Sequence, residues 1–105
     1  MRLIDTHCHF DMMPSPESFI LKQESLGNTI IGMTNLPQHF QMGKSYVQRY
    51  KHIRLALGFH PLYAQSYRNQ VPLFFEEINN TSYIGEIGLD FSKDGIATSN
   101  EQREL

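Results

Sequence analysis

Residues 29–59, TIIGMTNLPQHFQMGKSYVQRYKHIRLALGF, contain one strand–helix–strand repeat. The apolar runs at 29–34 and 53–59 have the length and composition typical of buried strands. Between them, Phe40 and Val47 recur at helical spacing, which predicts an amphipathic helix. Strands that alternate with helices are typical of a parallel sheet with helical crossovers, so this stretch predicts an α/β fold.

The same alternation continues on both sides of the repeat. Further strands are predicted at 2–9 and 82–91, where short apolar runs are again bounded by polar residues. A helix that opens at Pro72 is predicted between the third and fourth strands. The two asparagines at 79–80 are expected to end it, because asparagine tolerates the left-handed conformation.

The helix between the first two strands has recognisable end signals. Ser15 is placed to cap it, Pro16 suits its first position, and Gly27 is expected to stop it. Phe19 and Leu26 are expected to share its buried face, because they lie two turns apart.

Four strands and three helices in repeated order predict the N-terminal half, about four β/α units, of a TIM-type (β/α)8 barrel. A small open doubly wound sheet fits the alternation equally well. The strand pattern alone therefore leaves both architectures open, and the choice depends on the chemistry that the chain carries.

The C-terminal end predicts a helix that begins and does not continue. Ser99 with Gln102, or Thr98 with Glu101, has the spacing of a capping box, yet only three residues follow Gln102. A single turn of helix is unstable in water. We therefore expect residues 1–105 to form a partial domain that is truncated at its C-terminus. A frayed terminal tail is the alternative.

Composition excludes several classes of protein. A net charge of -2 gives the whole molecule no attractive field for a polyanion, so any handling of nucleic acid requires a local site or a metal. Cys8 is the single cysteine, which excludes an internal disulfide. Neither a secretory signal nor an apolar run of about 20 residues is present. We therefore expect a cytoplasmic protein that does not enter the membrane.

Two histidines near the start of the chain form the first candidate for a metal site. Side chains alternate across a strand, so His7 and His9 are predicted to point to one face and Cys8 to the other. Two imidazoles at this spacing can hold one divalent ion, although such a pair is also common without a metal. Their position at the carboxyl end of the first strand favours a site, because barrel enzymes place their chemistry there.

A carboxylate within an apolar run forms the second candidate. Glu86 lies in the stretch IGEIGLDF at 84–91, where burial costs free energy unless a metal or another charged partner meets it. Gly85 and Gly88 are expected to permit close approach beside it. Alternation predicts that Asp90 shares the face of Glu86 and supports it. A salt-bridged strand carboxylate is the alternative interpretation.

A third candidate ends the third predicted strand, in the stretch GFHP at 58–61. Pro61 favours an extended backbone at His60, so the imidazole is expected where the strand gives way to a loop. His60 could bind a substrate phosphate, assist proton transfer, or cap the strand end.

Three motifs, in this order along the chain, carry a family resemblance. MRLIDTHCHFD at 1–11, GFHP at 58–61 and IGEIGLDF at 84–91 are similar to signatures of the TatD family of metal-dependent hydrolases. TNLPQHF at 34–40, RLALGFHPL at 54–62 and TSYIGEIGLDFSKDG at 81–95 further resemble the TatD-like nuclease of Qat anti-phage systems.

The resemblance implies a (β/α)8 barrel that binds one or two divalent ions (Mg, Mn or Zn) and hydrolyses phosphodiester bonds, typically as a DNA exonuclease. It implies that His7 and His9 ligate one metal, that Glu86 ligates or bridges the metals, and that His60 lies beside the substrate phosphate. The metals would also explain how an acidic chain acts on DNA, because they supply positive charge.

The chain departs from the family because the remaining ligands, two histidines and an aspartate, would lie beyond residue 105. We therefore expect little or no activity from this chain alone. A catalytically silent interaction module that docks onto proteins of a defence complex is the alternative. A half-barrel would also expose a strand edge and an apolar face, which predicts self-association.

Overall fold

The structure, a computed structural model, describes residues 2–105. Its centre is a parallel sheet in the order β1-β2-β3, formed by β1 (Ile4–Cys8), β2 (Thr29–Met33) and β3 (Ile53–Ala56). The α/β prediction is confirmed, because each neighbouring pair of strands runs parallel and is joined by a helical crossover. No helix among the described residues is long and apolar enough to cross a membrane.

Within residues 2–105, four α-helices and five short 3-10 turns connect and follow the strands. The α-helices are α1 (Pro16–Leu26), α2 (Pro37–Val47), α3 (Val71–Glu77) and α4 (Ser99–Glu104). The 3-10 turns are Phe10–Met12, Pro61–Tyr63, Arg68–Gln70, Ile78–Asn80 and Ile96–Thr98.

The ends of α1 follow their sequence signals, but its buried face differs from the prediction. Pro16 opens the helix, and Gly27 ends it in the left-handed conformation at φ 72°. Ile20 is the fully buried residue, whereas Leu26 is exposed. Leu26 lies six residues after Ile20, about 120° away around the helix. The prediction that Leu26 is buried was therefore wrong.

The fourth predicted strand, at 82–91, was wrong in extent. Only Ile84 forms a bridge, parallel to Leu57, and the segment then bends. Gly88 has a φ of 126°, which interrupts an extended run, and Ile87 and Leu89 are exposed. The segment is therefore a short extension of the sheet beside β3 rather than a full strand.

The start of α4 is also held differently from the prediction. Thr98 precedes the helix without a side-chain cap, so neither capping box forms. Instead the buried Gln102 side chain accepts from Asp90 N at 2.6 Å and donates to Asp90 O at 2.9 Å and Gly95 O at 2.8 Å. The amide thus ties the short helix back to the bend at 90–95.

The hydrophobic core lies between the sheet and the helices α1 and α2. Its buried members come from both layers and from the loops that join them: Cys8, Phe10, Ile20, Ile30, Phe40, Val47, Ile53, Leu55 and Leu57. Outside it, large apolar side chains such as Ile4 and Leu89 remain exposed. The predicted self-association through such surfaces stays a prediction.

A buried ion pair joins α2 to the end of α3. Glu77 is 2% exposed, and both of its carboxylate oxygens accept from Lys44 Nζ at 2.8 Å. Asn80 donates a further bond to it at 3.2 Å. The bonds from Lys44, opposed by burial and aided by Asn80, hold the pKa of Glu77 below its ordinary value.

Replacing Glu77 by glutamine should lower the free energy of unfolding at neutral pH by about 1.5–3 kcal/mol, because charge-assisted hydrogen bonds are lost. Since the folded pKa is depressed, this contribution is present above the ordinary value of 4.5 and is lost as pH falls through the folded value. Urea denaturation across this pH range measures it. Glu76→Gln, an exposed neighbour, is the control, and equal losses in both variants would contradict the prediction.

Candidate metal centre

The two histidines lie at the carboxyl end of β1, where the strand contains an irregularity. Asp5 pairs with Ile30 and Cys8 pairs with Gly32, so β1 advances three residues while β2 advances two. Cys8 is buried in the core, whereas His7 is exposed and His9 is half-buried. The predicted separation of Cys8 from His7 across the strand is therefore observed.

The packing of Phe10, the residue after His9, fixes the position of the end of β1. Phe10, directly after His9, is buried in the core, and its ring occupies the space beside Gly32. A Cβ at Gly32 would lie 2.2 Å from that ring, so only glycine leaves room for it. Asp5 Oδ1 accepts from His7 N at 3.0 Å and holds the strand just before the pair. Sequence reasoning missed Asp5, although an Asp two residues before a histidine is a recognisable local hydrogen-bonding pattern.

Glu86 reaches the histidines because its segment runs beside the end of β3. Gly85 N donates to Leu57 O at 2.7 Å, and Phe59 N donates to Glu86 O at 2.6 Å. A Cβ at Gly85 would lie 2.9 Å from Met33 Sδ, so glycine permits this approach as expected. At Gly88 no neighbouring atom lies close to the position of a Cβ, so the expected close approach does not occur there. Gly88 instead allows the positive φ at which the segment bends.

Three ligand atoms converge at this point. Glu86 Oε1 lies 3.0 Å from His7 Nε2 and 3.1 Å from His9 Nε2. The two Nε2 atoms are 3.2 Å apart. Within residues 2–105, these three side chains form the one cluster of metal-ligating groups with such spacing. The structure thus brings together the three side chains that the sequence singled out as metal ligands.

The spacing of these atoms fits a shared cation. Ligands bound at about 2.0–2.2 Å to one ion lie about 2.8–3.1 Å apart at octahedral angles and about 3.3–3.6 Å apart at tetrahedral ones. The separations of 3.0, 3.1 and 3.2 Å lie within or between these ranges. Each imidazole nitrogen offers a single N–H or a single lone pair, and therefore cannot satisfy both of its short contacts by hydrogen bonding alone. His9 Nδ1 is buried without a partner among the described residues, so packing rather than a hydrogen bond orients the ring. The donor set of two imidazoles and one carboxylate is one that divalent metals use.

His60 lies outside this cluster and caps the loop after β3. Its Nδ1 accepts from Leu62 N at 3.1 Å, and its backbone N donates to Asn35 O at 2.8 Å. Of the three roles left open by the sequence, the structure shows the capping role. An Nδ1 that accepts a bond carries no proton, so the neutral ring has its N–H at Nε2.

Asp90 is not brought to the cluster. The chain is bent before it, so the alternation from which its position was predicted does not extend that far. Its carboxylate accepts from Ser92 N at 2.9 Å. The side-chain and backbone bonds from Ser92 lower the pKa of Asp90. Asp90 therefore organises its own turn, near His60.

Comparison with known proteins identifies the family. A family model described as TatD related DNase matches residues 4–105. The chain belongs to the TatD-related DNase family.

This TatD-related chain is also similar to an "Uncharacterized metal-dependent hydrolase" of Buchnera aphidicola subsp. Baizongia pistaciae (strain Bp), with 26% identity over 114 residues. The match covers 100% of the chain and 41% of that protein, so the chain spans less than half of its relative. The parallel β/α repeats of the present chain are consistent with the N-terminal part of the TIM-type barrel of the family. The doubly wound alternative is not needed to explain them.

The close approach that positions Glu86 can be tested at Gly58. A Cβ there would lie 2.0 Å from the Thr34 carbonyl oxygen and 3.0 Å from Glu86 N. Gly58→Ala should therefore cost about 1–3 kcal/mol or more of stability, because backbone atoms must shift. Urea denaturation of the purified variant measures this loss.

Gly43→Ala is the matched control for this change. The added Cβ would lie 2.8 Å from Leu55 Cδ1, the end of a flexible side chain, and alanine favours the helix by about 1 kcal/mol. We expect Gly43→Ala to be close to neutral. Equal destabilisation by the two variants would show that the backbone contact at Gly58 does not constrain the fold.

Proposed function

We propose that this chain supplies the first ligands of a divalent-metal centre that hydrolyses phosphodiester bonds in DNA. The observation that carries the proposal is the convergence of His7, His9 and Glu86 within 3.2 Å of one another. Membership of the TatD-related DNase family supports the reaction class. The metal-dependent name of the Buchnera relative supports the cofactor.

Three protein ligands leave room for water and substrate on one ion. A bound metal would lower the pKa of a coordinated water and polarise a phosphoryl oxygen. The chain's own contribution is to hold both imidazoles and the carboxylate in place through β1 and the hydrogen bonds to β3. A second ion, as the family resemblance implies, would need ligands in addition to these three.

The donor set favours a transition metal over magnesium. Imidazole nitrogen suits zinc and its neighbours, whereas magnesium prefers oxygen ligands and keeps most of its water. We therefore propose Zn as the tightest-binding ion, followed by Mn and then Mg. This order follows the general affinity series for nitrogen and oxygen ligands.

His60 is proposed to contact the substrate phosphate. Its Nδ1 is engaged with Leu62 N, which leaves Nε2–H as the available donor of the neutral ring. An N–H donor beside a phosphate oxygen stabilises negative charge there. Its place directly after Phe59, whose backbone N is bonded to Glu86 O, supports this role.

The finer predictions come from the sequence resemblance. On that basis we also propose that the protein acts as a DNA exonuclease within a Qat-type anti-phage system. We also propose association with other defence proteins and a cytoplasmic location, the latter from the sequence composition rather than from the resemblance. None of them is needed for the metal-binding test that follows.

Isothermal titration of the purified chain with Zn, Mn and Mg tests the centre directly. We expect His9→Ala and Glu86→Gln each to weaken Zn binding by about tenfold or more, because one of three ligands is lost. His39→Ala is the matched control, since His39 is exposed on α2, outside the cluster. A loss of affinity as large in His39→Ala would overturn the proposed ligand set.

Hydrolysis is tested with the product of the whole gene and end-labelled DNA in the presence of the ion that binds. We expect turnover that chelation removes and that Glu86→Gln reduces by at least about a hundredfold, since the metal centre is disrupted. The 105-residue chain alone is expected to show little or none. Turnover unaffected by Glu86→Gln, or metal binding by the whole product without turnover, would contradict the proposed reaction.

A further inference from the structure

A basic groove lies at the end of the sheet opposite the metal centre. It has a volume of about 520 Å³ and is bordered by the end of α2, the start of β3 and the segment before Ile84. β3 begins at Ile53, on the groove, and the chain reaches Phe59, bonded to Glu86, six residues later. At about 3.3 Å per residue, the Ile53 end of the groove lies about 20 Å from Phe59. Tyr83, on the near edge of the groove, precedes Glu86 by three residues and so lies about 10 Å from that ligand.

The charged residues that line this groove are all basic. Of the chain's nine basic residues, four line it, namely Lys44, Arg49, Lys51 and Arg54, and no acidic residue does. Lys44 is neutralised by Glu77. The other three form no ion pair with any of residues 2–105. A chain of net charge -2 thus concentrates unpaired positive charge in one place.

Glu24 is an acidic residue next to the basic segment, and both of its carboxylate oxygens are bonded to the backbone. Glu24 accepts from the backbone N atoms of Lys51 and His52, both at 2.9 Å. Burial of Glu24 acts against these two bonds, but the bonds prevail and lower the pKa of its carboxyl. Glu24 therefore anchors the basic segment to α1 through backbone bonds and offsets part of the charge of Arg54. The Lys51 side chain remains exposed.

The remaining lining of the groove suits a nucleic-acid backbone. The exposed hydroxyl of Ser82 accompanies the cations, and the half-exposed ring of Tyr83 lies beside it. The Asn80 and Thr81 side chains also line the groove but are bonded within the protein. Positive charge combined with aromatic rings is the pattern by which proteins follow a single strand. An acidic peptide would have less use for an aromatic surface.

We propose that this groove binds the phosphodiester backbone of a nucleic-acid strand at a distance from the metal centre. The choice of nucleic acid among polyanions rests on the proposed function. The assignment of the groove as a binding site for a polyanion is independent of that function and follows from the charges and shape of the groove. It would hold a part of the strand that is not being cleaved, and so increase the residence of DNA on an acidic protein.

The test is binding of labelled oligothymidylate to the full chain in EDTA, followed by fluorescence anisotropy. Arg49→Gln/Lys51→Gln should weaken binding about fivefold or more at low salt and reduce the salt dependence by about one to two contacts. Lys22→Gln/Lys93→Gln removes the same charge elsewhere and should change affinity by less than about twofold. Thermal melts confirm that each variant is folded.

A second variant keeps the cations and adds a repulsive group. Ser82 is exposed on the groove, and Ser82→Glu should weaken binding to a similar extent. Arg49→Gln/Lys51→Gln should leave Zn binding by the chain unchanged, because neither residue belongs to the ligand cluster. Failure of the metal proposal and failure of the groove proposal therefore give different results.

Three outcomes would overturn the groove proposal. Equal weakening by the two double variants would indicate only a dependence on net charge. Binding that requires added Zn and is absent in EDTA would place the DNA at the metal centre. Equal affinity for polyglutamate and for the oligonucleotide would indicate a site for acidic proteins instead.

Discussion

The hydrogen bonds between the end of β3 and the segment that carries Glu86 are the interactions on which the candidate site depends. Phe59 N meets Glu86 O at 2.6 Å, and Leu57 bonds on both sides of Ile84. They bring a carboxylate to two histidines that precede it by 77 and 79 residues in the chain. Because backbone bonds of this kind are directional, they fix the position of Glu86 more firmly than its side chain could.

Close packing of backbone makes these bonds possible. At Gly58 the chain passes so near the Thr34 carbonyl that any side chain would collide with it. Gly85 similarly lies against Met33. The strands and the Glu86 segment therefore approach one another through positions without side chains. The geometry of the three ligands is a consequence of backbone packing, with the core residue Phe10 fixing the histidine end.

Local sequence signals predicted the elements that are stabilised locally. Pro16 and Gly27 bound α1 as expected, and the spacing of Phe40 and Val47 gave the buried side of α2. The apolar run 84–91 was misleading, because a strand also requires a partner and a continuous extended backbone. Gly88 adopts a positive φ there. The bonds from Gln102 that hold this bend involve partners 7 to 12 residues away, so no local pattern indicated them.

The candidate ligands could be predicted because each is a polar residue beside or within an apolar run. The distribution of charge over the surface could not be predicted from the sequence. His7 and His9 follow a strand-like run, and Glu86 interrupts an apolar one. Net charge, by contrast, averages over the surface and conceals how the fold arranges it. The segment containing Arg49 and Lys51 forms a basic groove because Glu24 holds its backbone, while Glu77 neutralises only Lys44. The local field at a surface follows from which charges the fold has already neutralised, and that information is contained in the contacts rather than in the composition.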